Sequence, residues 1–144
     1  MKSLIIAAAL FVSLSAFAGR EKVNEKVLNA FKTEFVNAQE VEWTISSEYF
    51  KASFQMNGQR IFAFYNTDGE LMGLTRNISS AQLPVRLQTS LKKNYSNYWI
   101  SDLFEVSNSD GTHYYVTLEN GTSKVVLKSS TGNDWSAYKK DRKI

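Results

Sequence analysis

The sequence has no cysteine, one proline and one histidine in 144 residues. Without cysteine there is no disulfide, no thiolate nucleophile and no sulfur for lipid attachment. With His113 as the only histidine, a histidine metal cluster is excluded, and a histidine-dependent triad would hang on one residue at a strand end. The seven glycines are scattered, so no phosphate-cradling loop is present. A strong charge of one sign is missing too: 17 basic residues against 14 acidic give a net +3. Lys139-Lys140-Asp141-Arg142-Lys143 supplies as much by itself, which leaves no basic face suited to nucleic acid. That tail reads as a solvated, frayed end.

Long apolar runs are lacking except at the start. Residues 1–18 carry Lys2, an apolar run from Leu4 to Phe17, and Ala16-Phe17-Ala18 ahead of Gly19, the pattern of a secretory signal cleaved at Ala18–Gly19. The run is too short for a membrane anchor and meets Arg20-Glu21-Lys22 at once. The expectation is a periplasmic or secreted chain, residues 19–144, with no membrane span after cleavage. Lys2 is the only charge removed, so the remainder carries +2. Its length suits one domain that needs no staples.

What is abundant is alternation. Tyr49–Tyr65, YFKASFQMNGQRIFAFY, places two period-two runs around Asn57-Gly58, the dipeptide best suited to a two-residue type I′ turn. Pairing Met56 with Gln59 sets Phe54 against Ile61, Ala52 against Ala63 and Phe50 against Tyr65 on one face. The other face receives Ser53 with Phe62, Lys51 with Phe64, and Tyr49 with Asn66. A second copy, His113–Lys128, turns at Asn120-Gly121.

Upstream, Val23, Val27, Ala30, Phe31 and Phe35 share one stripe of a helix over 20–38. Val41, Trp43 and Ile45 then alternate, and a tight Ser46-Ser47 turn would set Trp43 against Phe50 and Glu42 beside Lys51. Downstream, Asn66–Gly69 turns the chain into a strand with Met72 on the Tyr65 face and Leu71 beside Phe64. A calcium loop is the other reading of this turn, but Phe64 stands where the first oxygen ligand should be. Leu83-Pro84 opens a second helix with Leu83, Leu87, Leu91 and Tyr95 as its stripe. Between Leu103–Val106 and Tyr114–Leu118, a three-residue loop ending at Gly111 would put Phe104 and Val106 in the core, whereas a two-residue loop would bury Glu105. The three-residue loop is therefore expected. Val125 then faces Val116, Leu127 faces Tyr114, and 134–138 makes a last short strand.

The expected fold is α+β, a tandem repeat of one helix plus a four-stranded antiparallel sheet over about 20–75 and 83–138, with the helices packed on one sheet face. VEW (41–43), YFKASF (49–54), NG (57–58), FAFY (62–65), DGEL (68–71) and LP (83–84) resemble the PepSY-like, β-lactamase-inhibitor-like family of bacterial periplasmic proteins over nearly the whole mature chain. The resemblance implies a tandem α/β repeat with an exposed sheet face, used by inhibitor relatives to hold a protein partner.

No group fills the roles of nucleophile, base and oxyanion donor together, so the chain reads as non-enzymatic, with no cofactor and no metal. Asp68 with Glu70, and Asp102 with Glu105, sit where solvation accounts for them. Two functions remain. One is a protein-binding or inhibitor-like module whose partner, another periplasmic or secreted protein, meets Tyr49, Phe62, Phe64, Leu71 and Tyr115. The other is a carrier of a small apolar ligand between the helix and sheet layers.

Overall fold

The computed structural model describes residues 22–143; the expected signal segment and its cleavage point lie outside the described residues. Two compact units follow one another, divided between Leu74 and Thr75.

In the first unit, α1 (Glu25–Glu34) precedes β1 (Gln39–Ile45), β2 (Phe50–Met56), β3 (Gln59–Tyr65) and the start of β4 (Leu71–Asn77). The helix starts later than its apolar stripe because the Asn24 side chain accepts from Val27 N–H at 2.9 Å, capping an orphan donor, while its Nδ2 donates to Thr67 O. Val27, Phe31 and Phe35 descend from it onto Ala52, Phe54, Ala63 and Tyr65. Phe31 meets Phe54 edge-on at 5.1 Å and Trp43 at 5.3 Å. Asn57 (φ 53°) and Gly58 (φ 77°) form the primed turn, and every expected pair from Met56–Gln59 to Phe50–Tyr65 is present.

In the second unit, a 3-10 turn (Ser80–Gln82) and α2 (Val85–Asn94) lead to β5 (Trp99–Asn108), β6 (Gly111–Glu119), β7 (Ser123–Ser129) and β8 (Ser136–Arg142). Leu83, Leu87 and Leu91 cover Leu103, Val116, Leu118, Val125 and Leu127. Trp135 closes one side, donating Nε1–H to Leu87 O at 3.1 Å.

The tandem repeat of helix plus four-stranded sheet is overturned. The strands form one eight-stranded antiparallel sheet in the order β1 to β8, and with two helices among the described residues the fold is mostly sheet. The reason lies in β4, which does not end a sheet at its apolar residues. It runs on to Asn77, whose Nδ2 donates to Asp102 Oδ1 at 3.0 Å, and Ile78 N–H then donates to Leu103 O.

Four local expectations are also corrected. The β1–β2 loop is longer than a tight turn, so Trp43 faces Ala52, Thr44 faces Lys51 and Glu42 faces Ser53; a slip of two keeps the faces and changes the partners. After Tyr65, Asn66 N–H donates to Glu70 O across a three-residue loop, and Leu71 packs on the first core while Met72 is 44% exposed. The β5–β6 loop is the rejected two-residue one, with Asn108 opposite Gly111 and Glu105 opposite core-facing Tyr114. Arg76 makes that possible, its Nε donating to Glu105 Oε1 at 2.9 Å. Finally, the charged tail is a strand: Lys143 N–H donates to Thr122 O and its Nζ meets Glu119 at 2.8 Å.

Candidate binding surface

Strand alternation divides each unit's sheet into a face under its helix and a face away from it. The second face carries the candidate site, and its members are best taken unit by unit.

In the first unit, Ala52 and Phe54 are buried under α1, which turns Lys51 and Ser53 outward; Ala63 and Tyr65 likewise turn Phe62 and Phe64 outward. Phe62 and Phe64 are half-buried. Tyr49 lies in the β1–β2 loop, outside the strand expected for it, yet its ring meets Phe64 edge-on at 5.3 Å. Lys51 Nζ sits 5.3 Å from the Phe62 ring. Arg60 fixes the far end, donating to Ser53 Oγ at 3.1 Å and pairing with Glu40 at 3.6 Å. Leu71 does not join these aromatics, since it belongs to the core side.

In the second unit, Val116 and Leu127 point under α2, so Tyr115 and Lys128 point away, and the pairing Phe104–Tyr115–Lys128 runs straight across β5, β6 and β7. Phe104 and Tyr115 stack at 5.1 Å with planes 12° apart. Tyr138, 62% exposed, abuts Tyr115 edge-on at 5.3 Å, and Lys128 Nζ lies 5.5 Å from the Tyr115 ring. Trp99, 53% exposed, lies under Lys143 Nζ at 4.8 Å.

Of the residues singled out in the sequence, Tyr49, Phe62 and Phe64 come together, and Tyr115 gathers a cluster of its own. Phe104, Tyr138 and Trp99 were missed. Phe104 was assigned to the core because Glu105 was assumed to need water; the signal that could have found it is Arg76, far upstream and legible only once β4 is paired. Tyr138 sits opposite no residue of β7, because a register shift between Val126 and Leu127 leaves it between the Lys139 and Ala137 pairs.

Among the described residues, the titratable groups with shifted affinities are Tyr65, Arg76, Tyr114 and Glu119. The hydrogen bond to Glu105 holds the Arg76 proton more tightly, and burial followed by the Glu105 charge raises Tyr114. The hydrogen bond from Lys143, then one from Ser101, lowers Glu119. Burial and then Glu34 raise Tyr65, whose buried hydroxyl has no hydrogen-bond partner among the described residues. Among the described residues no group of acidic, histidine or cysteine side chains could hold a metal. None of the helices among the described residues is long and apolar enough to cross a membrane.

Neither a family model nor a curated protein matches the chain. Solved structures do. A BLIP-like protein from Bacteroides fragilis superposes with TM-score 0.70 at 22% identity, covering 83% of this chain and 85% of that one. A protein from Bacteroides eggerthii, described as periplasmic, gives 0.73 at 14% identity over 83% and 88%. A DUF2874 family protein from Bacteroides ovatus gives 0.72 at 18% identity over 82% and 86%. At these identities the likeness is one of fold. It supports the BLIP-like part of the resemblance drawn from the motifs and gives none to the PepSY-like part; neither printed name denotes an enzyme.

Proposed function

We propose that this chain is a non-enzymatic, inhibitor-like protein-binding module of the periplasm, whose partner, another periplasmic or secreted protein, docks on aromatic side chains of the sheet faces turned away from the helices. The observation that carries the reading is the state of those side chains. They are half-exposed yet held ring against ring, as with Phe104 on Tyr115 and Tyr49 on Phe64. Rigid aromatic groups of this kind bury large area with little side-chain entropy lost, which is what binding hot spots require. The BLIP-like and periplasmic neighbours support this reading through fold alone.

The carrier reading has less to stand on. The space between α1 and the sheet is filled by Phe31, Phe35, Phe54 and Trp43, in ring contacts of 4.9–5.4 Å. A ligand there would have to displace packed rings.

Two double variants test the proposal, Phe62→Ser with Phe64→Ser, and Tyr115→Ser with Tyr138→Ser. Each is expected to leave circular dichroism unchanged and to lower the melting temperature only modestly, since these rings lie outside both helix-covered cores and Tyr138 is 62% exposed. Affinity capture from a periplasmic extract of the source organism, read by mass spectrometry, should then lose the partner that the unaltered protein retains. Unchanged capture by both would overturn the reading. A large loss of stability would reassign the altered rings to packing.

A further inference from the structure

We infer that the free edge of β1 pairs with the same edge of a second copy of this chain, joining two molecules through an antiparallel β1–β1 ladder. The inference rests on strand order and backbone direction, and not on the aromatic faces.

Among the described residues β1 is terminal in the sheet and pairs with β2. Ser46 N–H donates to Tyr49 O at 2.9 Å, which fixes the phase of the ladder beside it. Counting back through the pairs Ile45–Phe50, Thr44–Lys51, Trp43–Ala52 and Glu42–Ser53, Thr44 and Glu42 turn their backbone groups toward β2. Trp43 and Ile45 turn theirs to the open side. An edge with unpaired N–H and C=O groups is a template for another strand unless something blocks it.

The other edge is blocked. β8 carries Lys139, Lys140, Asp141 and Arg142 within seven residues that are all exposed, so a second β8 laid antiparallel would bring cations together. β1 has no cation and no proline. Its one irregularity is at its start, where Glu40 adopts φ 53° and the register shifts between Gln39 and Glu42. Regular pairing with β2 holds from Glu42 to Ile45, and Val41 packs with Trp43 against the first core.

This run is complementary to itself. A two-fold axis at Trp43 sets Trp43 opposite its own copy in a doubly hydrogen-bonded pair, because these are the groups that face outward. Ile45 then lies opposite Val41, both on the helix side, and Glu42 lies opposite Thr44 on the other. No like charges are opposed. Ile45, 38% exposed in the single chain, becomes covered. Two strands of this length bury little, so the dimer should be weak, with a dissociation constant of roughly 10–500 µM.

Sedimentation velocity of the exported protein, from about 5 µM to about 1 mM, should show the average mass rising from monomer toward dimer. Amide exchange at high concentration should slow for Trp43 and Ile45. Ile45→Lys places an ammonium against Val41 of the other copy and should weaken association by about tenfold or more, with circular dichroism unchanged. Protein that stays monomeric at the highest concentration overturns the inference. So does a dimer that is indifferent to Ile45→Lys, or one whose Trp43 and Ile45 amides exchange as fast as in the monomer.

Discussion

Glu105 shows how one residue decides a register. Read alone, a carboxylate in a strand argues for the solvent face, and that argument selected the three-residue loop and sent Phe104 inward. The structure takes the opposite phase because Arg76 lies beside Glu105 and bonds it through Nε at 2.9 Å and through Nη2 at 3.4 Å, leaving the Glu105 side chain 17% exposed. Tyr114 shares the same carboxylate and feels its charge. A paired charge can be buried at modest net cost, while a charge deprived of its partner cannot. Arg76→Met should therefore destabilise by about 1–3 kcal/mol, and Glu105→Met by a similar amount. The double variant should lose less than the two singles together, since it leaves neither charge behind. Denaturant melts of the four proteins close this cycle. Additive losses would mean that the pair is too solvated to have set the strand phase.

At the scale of elements, what was legible is the hairpin whose turn chemistry and alternation agree. Asn57-Gly58 needs two positive φ values and has them, and the whole β2–β3 register follows. The same dipeptide at Asn120-Gly121 does something else. There the Asn120 side chain accepts from the N–H groups of Thr122 and Ser123 at 2.9 and 2.8 Å, Gly121 takes no positive φ, and the loop lengthens. Leu127 consequently faces Val116 where Val125 was expected, a slip of two that keeps the faces. A side chain able to cap its own loop competes with the primed turn, and sequence spacing does not reveal which will win. The helix stripes were legible for a simpler reason, because period 3.6 is fixed by backbone geometry.

Gly69 gives this scale its test. Its φ is +83°, and a Cβ there would stand 2.8 Å from the Lys26 carbonyl oxygen in the first turn of α1. Gly58 has a similar φ of +77° with open space around it. Gly58→Ala should therefore cost only the left-handed strain, about 1 kcal/mol, and Gly69→Ala about 1–2 kcal/mol more. Equal losses in urea melts would show that the turn gives way and does not hold the helix.

Over the whole molecule, the sequence pattern identified both cores and misjudged how the strands are shared out. Val27, Phe31, Ala52, Phe54, Ala63 and Tyr65 in the first unit, and Leu83, Leu87, Leu91, Val116 and Leu118 in the second, lie where periodicity puts them. The single eight-stranded sheet was not legible, because β4 reads as an ordinary last strand until Arg76 and Asn77 find Glu105 and Asp102. Long-range polar pairs of this kind leave no trace in local spacing. The cores should nevertheless dominate stability, since nearly all the fully buried side chains are apolar and the visible ion pairs at Arg60, Lys139 and Lys143 are partly solvated. Phe54→Ala and Leu118→Ala, at positions 0% and 2% exposed, should each cost about 2–5 kcal/mol from lost transfer energy and the cavity left behind. Val36→Ser, at a position 80% exposed, should stay within about 0.5 kcal/mol. Chemical denaturation of the three variants decides the matter: a loss under about 1 kcal/mol at Phe54 or Leu118 would mean that the strand bearing it presents the other face to its helix.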